Sequence, residues 1–127
     1  DAQESRGLGD VYKRQIMDKI TITIPAEKIY LKSIRLFTAS LASDLGFNIE
    51  EVEDLRVVVS EAINYKLSDE DIKIEFLPED KNLQIKVIGK DKSLDERALK
   101  MRDLILQELA DEVEITSGEI KIIKRAS

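Results

Sequence analysis

The sequence predicts an α/β (α+β) fold, a two-layer sandwich in which an antiparallel or mixed sheet of about five strands is covered on one face by three helices. Two observations carry this prediction. Five short segments alternate apolar and polar residues at a period of two, while three longer ones repeat apolar residues every three or four positions. No internal repeat, low-complexity tract or linker separates them, and 127 residues is the length of one ordinary domain.

The opening stretch, residues 1–16, is polar and lacks periodicity, and a clean strand pattern begins directly after Met17. Asp10 to Gln15 resembles the translation of a transposase-adaptor sequence used in library preparation. Residues 1–16 are therefore expected to be an artefactual or disordered leader, and residues 17–127 the domain. Lys19 to Pro25 alternates Ile20, Ile22 and Ile24 with Thr21 and Thr23, a half-buried strand rich in β-branched residues. From about Glu27 the spacing becomes helical through Tyr30, Ile34, Phe37, Leu41 and Leu45, and Gly46 follows as a left-handed terminator.

Asn48 and Glu51 have the spacing of a capping box, with Phe47 and Val52 as the flanking apolar staple. The helix they open carries Val52, Leu55, Val59, Ala62 and Ile63 on one stripe and runs out near Leu67. Ile72, Ile74 and Phe76, then Leu83, Ile85 and Val87, alternate on either side of the turn-rich Pro78 to Asn82, which predicts an antiparallel hairpin. Ser93 with Glu96 suggests a second capping box, opening a helix with Leu94, Ala98, Met101, Ile105 and Leu109 inward. Val113 and Ile115, a turn at Gly118, then Ile120 and Ile122 complete the sheet.

Composition narrows the chemistry. Apolar residues make up 43% and charged residues 36%, the balance of a folded domain. A formal net charge of −6 makes nucleic acid and anionic membrane surfaces poor partners. No apolar run approaches the length of a membrane span, and a cytoplasmic protein is expected. The chain has neither cysteine nor histidine, so no metal site is expected, and acid/base chemistry near neutral pH would fall to carboxylates or lysines.

Tyr30 to Leu36, Ala42 to Phe47 and Ile49 to Ala62, with its Val58-Val59-Ser60-Glu61-Ala62 ending, together resemble the amino half of the anti-sigma-factor serine kinases. Leu109 to Ile115 resembles the helix-to-strand junction near the end of that family, and the match runs from Met17 to about Lys124. The family belongs to the GHKL superfamily, so the resemblance implies the histidine-kinase-like ATPase fold. It also implies a bacterial regulator of transcription that binds Mg-ATP, phosphorylates a serine on an anti-anti-sigma protein and sequesters a sigma factor.

Three motifs carry that activity, and each departs from the pattern here. In the first, a Glu serves as general base and an Asn four residues later holds magnesium; Glu61 fits, but Asn64 stands at the third position and Tyr65 at the fourth. That shift turns the amide by roughly 100° around the helix axis. In the second, an Asp accepts from the adenine amino group and two glycines follow; Gly89 takes the place of the Asp, with Asp91 and Ser93 in the glycine positions. A register slip that promotes Asp91 to the adenine contact leaves it without a glycine pair. In the third, a lid closes on a glycine-rich turn that cradles phosphate, whereas Lys100 and Arg102 occupy the glycine positions, in a helix expected to run from Ser93. They read as part of a solvated helix face.

The leading expectation is therefore a pseudokinase of this family, with Glu61 a vestigial base, Asn64 a vestigial cofactor contact and no cofactor retained. It would act by binding a sigma factor or an anti-anti-sigma protein through Arg35, since the family's corresponding first-helix arginine faces its partners. Two alternatives stay open: an active ATP-dependent serine kinase with Glu61 as base, and an accessory domain that only forms a homodimer through exposed strands or first helices.

Overall fold

The computed structural model describes residues 18–127; the leader assigned to residues 1–16, and Met17, lie outside the described residues. Five strands and three α-helices follow in the order β-α-α-β-β-α-β-β. They are β1 (Ile20–Ile24), α1 (Leu31–Asp44), α2 (Ile49–Asn64), β2 (Ile72–Glu79), β3 (Asn82–Ile88), α3 (Glu96–Leu109), β4 (Glu112–Thr116) and β5 (Glu119–Arg125). The sheet order is β1-β2-β3-β5-β4 and every neighbouring pair is antiparallel, which resolves the mixed-or-antiparallel expectation.

Alternation sorts each strand into two faces. Ile72, Ile74 and Phe76, Leu83, Ile85 and Val87, and Ile120 and Ile122 are buried toward the helices, while Thr21, Thr23, Lys73 and Glu114 point to the other side and are exposed. The helices answer with Ile34 and Ala42 from α1, Leu55, Val58, Val59, Ala62 and Ile63 from α2, and Leu106 from α3. Phe37 meets Phe76 edge-on at 5.0 Å between ring centroids, tying α1 to the sheet. Gly46 closes α1 at φ 94°, a conformation that glycine adopts without a Cβ penalty. Asn48 and Glu51 form the expected capping box, with Glu51 N donating to Asn48 Oδ1 at 2.8 Å and Asn48 N to Glu51 Oε1 at 2.9 Å.

Four local expectations need correction. Tyr30 is not on the buried stripe of the first helix: a single 3-10 turn, Lys28–Tyr30, precedes α1 and leaves the ring 38% exposed. The β2–β3 turn is tighter than expected, because Glu79 pairs with Asn82 and only Asp80 and Lys81 connect the strands. Pro78 is tolerated within β2 because it lies beyond the segment paired with β1, where its missing N–H breaks no ladder. The cap of α3 is Asp95, whose side chain accepts from Ala98 N at 2.8 Å, not Ser93, so residues 89–95 form a loop. Finally, α3 is turned so that Arg102 and Leu106 face inward while Met101 is 55% exposed. The reason lies in what Arg102 packs against.

Candidate functional site

The stripe that makes α2 amphipathic continues past its end. Val59, Ala62, Ile63 and Lys66 follow one another at helical spacing, and Lys66 is fully buried. Neighbouring positions around the same last turn point elsewhere. Glu61 lines a groove of about 280 Å³ beside Arg35 of α1, with Glu53, Arg56, Val57 and Ser60 completing its wall. Arg56 is already engaged by Glu53, at 3.0 Å one turn back. The structure thus brings two of the three sequence-derived candidates, Arg35 and Glu61, to one groove. Asn64, half-buried, is not among the residues that line it.

Tyr65 faces α3 instead. Its hydroxyl donates to the carbonyl of Ala98 at 3.4 Å, and the guanidinium of Arg102 lies 5.5 Å from its ring centroid. Arg102 also donates to Oδ1 of Asp103 at 3.1 Å. These contacts explain why Arg102 is 8% exposed and correct the expectation that it belongs to a solvated helix face; Lys100 does lie exposed. Burial pushes the Tyr65 hydroxyl above its ordinary pKa, the negative charges of Glu61 and Asp103 add to the rise, and Arg102 opposes it.

Beyond β3 the loop crosses the end of α2. Gly89 N donates to the carbonyl of Gly118 at 2.9 Å, and Lys92 N donates to the carbonyl of Tyr65 at 3.1 Å. Asp91 pairs through Oδ1 with Nζ of Lys66 and accepts from Gly118 N on Oδ2 at 3.0 Å. Burial pushes the Asp91 carboxyl upward, but the hydrogen bonds from Lys66 and Gly118 outweigh it and hold the group below the usual carboxylate range. Between this loop, α3 and the β4–β5 turn lies a cavity of about 390 Å³, lined by Asp91, Lys92, Leu99, Arg102 and Thr116 among others, to which Glu61 does not contribute.

Sequence reasoning did not find Lys66, although the apolar stripe of α2 projected two positions beyond Asn64 pointed to it. The Tyr65–Arg102 contact joins residues 37 positions apart in the sequence, and no local pattern signals it.

No family model matches the chain. Among curated proteins, the serine-protein kinase RsbW of Bacillus pumilus is 30% identical over an alignment of 133 positions that covers 82% of this chain and 82% of that protein. The chain belongs to the RsbW family. RsbW of Listeria monocytogenes is 35% identical over 85 residues, 61% of this chain and 54% of that protein, so the chain spans about half the length of the Listeria relatives it matches. The fold agrees as well: a crystal structure of the RsbU and RsbW domains of a Mycobacterium tuberculosis protein superposes with a TM-score of 0.66 over 87% of this chain and 32% of that one, at 15% identity. The two-layer sandwich is therefore an RsbW-type fold, and serine-protein kinase homology is established for this chain. Among the described residues no helix is long and apolar enough to cross a membrane.

Proposed function

We propose that this chain is a regulatory member of the RsbW family that works by binding a protein partner, a sigma factor or an anti-anti-sigma protein, and does not turn over ATP. The single observation that carries the reading is the contact between Tyr65 and Arg102. In the resemblance, those two positions belong to a magnesium-binding Asn and to a glycine whose bare backbone meets phosphate. Here a phenol and a guanidinium stand there and pack on each other where the end of α2 meets α3. Phosphoryl transfer depends on positioning and charge neutralisation, so both substitutions remove what the reaction needs.

The other two motifs support the same reading. Asp91, the nearest carboxylate to the adenine position, is engaged by Lys66 and Gly118 and has no glycine pair after it. Glu61 opens into the groove that holds Arg35, where it serves a protein surface better than a nucleotide. Arg35, Glu61 and the partly exposed Val57 between them offer a cation, an anion and an apolar contact to a docking segment.

Thermal unfolding in Mg-ATP tests the proposal. A ligand that binds only the folded state at about a thousand times its Kd stabilises by about 4 kcal/mol, a shift of many degrees for a domain of this size. No shift is expected at millimolar Mg-ATP. A magnesium-dependent shift that disappears in Glu61→Ala or Asn64→Ala would restore the kinase reading.

A further inference from the structure

The loop between β3 and α3 is anchored from three sides, and one anchor is a cation shut away from solvent. Lys66 is fully buried, and its ammonium reaches Asp91, whose side chain is 48% exposed. A buried ammonium is strongly unfavourable unless it is neutralised and hydrogen-bonded, so the conformation of the loop and the charge at position 66 require each other. Through its second oxygen Asp91 also accepts from Gly118 N, and Gly89 N donates to the carbonyl of Gly118, which joins the β4–β5 turn to the same assembly. From the other side, Lys92 N donates to the carbonyl of Tyr65 at the end of α2.

We propose that Lys66 is a built-in ligand for this loop: its ammonium, held inside the protein, fixes residues 89–95 against α2 and the β4–β5 turn without a bound small molecule. The proposal rests on the nucleotide-free reading above and deepens it. That reading removes a ligand from the site, and Lys66 supplies from within the chain the charge that orders the loop. The surface made by the loop, the end of α2 and the turn is then fixed at all times, so a partner meets it in one conformation whatever the nucleotide level. The contact is a charge pair and not an apolar plug, so removing either partner releases the loop as a unit.

Amide hydrogen exchange on the whole chain tests this in three proteins, the wild type, Lys66→Met and Asp91→Asn. The two variants remove opposite ends of the pair, and Asp91 is too exposed for its loss to empty the core. In both, the amides of Gly89, Lys92 and Gly118 are expected to exchange at least tenfold faster, while those of the paired Val87 and Ile120 in the β3–β5 ladder keep their rates. Unchanged exchange at the three loop amides in either variant overturns the proposal. So does acceleration spread evenly over the sheet in Lys66→Met, which would make Lys66 a core residue only. Adding Mg-ATP to the wild type separates the two ideas: slower exchange in the loop would overturn the nucleotide-free reading, while the variants alone still decide whether Lys66 holds the loop.

Discussion

Arg35 sits half-buried on α1 and lines a groove that also contains two acidic residues, Glu53 and Glu61, and a second arginine. Glu53 is committed to Arg56, and no ion pair to Arg35 is found among the described residues. Its planar fork of donors is thus available to an incoming carboxylate. Replacing Arg35 with Glu would place a third negative charge beside Glu53 and Glu61 and reverse the complementarity of the groove. Binding to the sigma factor or anti-anti-sigma protein of the same host, measured by titration calorimetry, is expected to weaken more than tenfold. Stability should change by no more than about 0.5 kcal/mol, as for most surface substitutions. Equal affinity in the variant would move the interface off the groove. At this scale the sequence was legible where a residue's role follows from its own neighbours, as for Gly46. It was not legible where charge and burial conflict: Arg102 and Lys66 look like solvated side chains until Tyr65 and Asp91 are brought to them by the fold.

At the scale of elements, what could be read depended on how local the determining physics is. The start of α2 is fixed by residues three apart, and its capping box forms as the spacing implies. The inward face of α3 depends on docking against Tyr65, so the apolar spacing of Leu94, Ala98, Met101, Ile105 and Leu109 pointed to a face about one residue away from the buried one. Its cap moved from Ser93 to Asp95 because both residues can accept from a backbone amide three positions on, and only the tertiary path of the loop chooses between them. The cap of α2 gives a direct test. Asn48→Ala removes the acceptor for Glu51 N and should cost about 1 kcal/mol in urea unfolding. The Glu51 carboxylate, held below the ordinary glutamate range first by Asn48 N, against a smaller upward push from burial, and then by Ser127, adds a pH signature. Because its folded pKa is depressed, its contribution is complete above the ordinary value near ~4.3 and is lost as pH falls through the lower folded value. The gap in stability between the wild type and Glu51→Gln should therefore be constant from about pH 7 to pH 5 and narrow as pH falls below the ordinary glutamate value. A gap that widens on acidification would show that the carboxylate is not stabilised in the folded state.

On the scale of the whole molecule, one sheet face carries the entire load of packing. All three helices contribute to a single core shared with the inward residues of β2, β3 and β5, with α2 between the other two helices. Phe76 stands at the centre of this arrangement, fully buried on β2 and in edge contact with Phe37 of α1. Such a domain has no part that can keep its core while another loses it, so helices and sheet should unfold in one transition. Truncating Phe76 to Ala removes a ring from the core and leaves a cavity, at a cost of about 3–5 kcal/mol. That is a large share of the ~5–15 kcal/mol that separates folded from unfolded states in domains of this kind. The loss should appear equally in far-ultraviolet circular dichroism, which reports the helices and strands, and in tyrosine fluorescence of a Tyr12→Phe, Tyr30→Phe background, in which the remaining emission comes from Tyr65, bonded to Ala98 of α3. Coincident midpoints, both displaced by the substitution, are the expected result. If the tyrosine signal kept its midpoint while the dichroism moved, the α2–α3 contact would be a folding unit of its own, and the loop held by Lys66 would be ordered independently of the core.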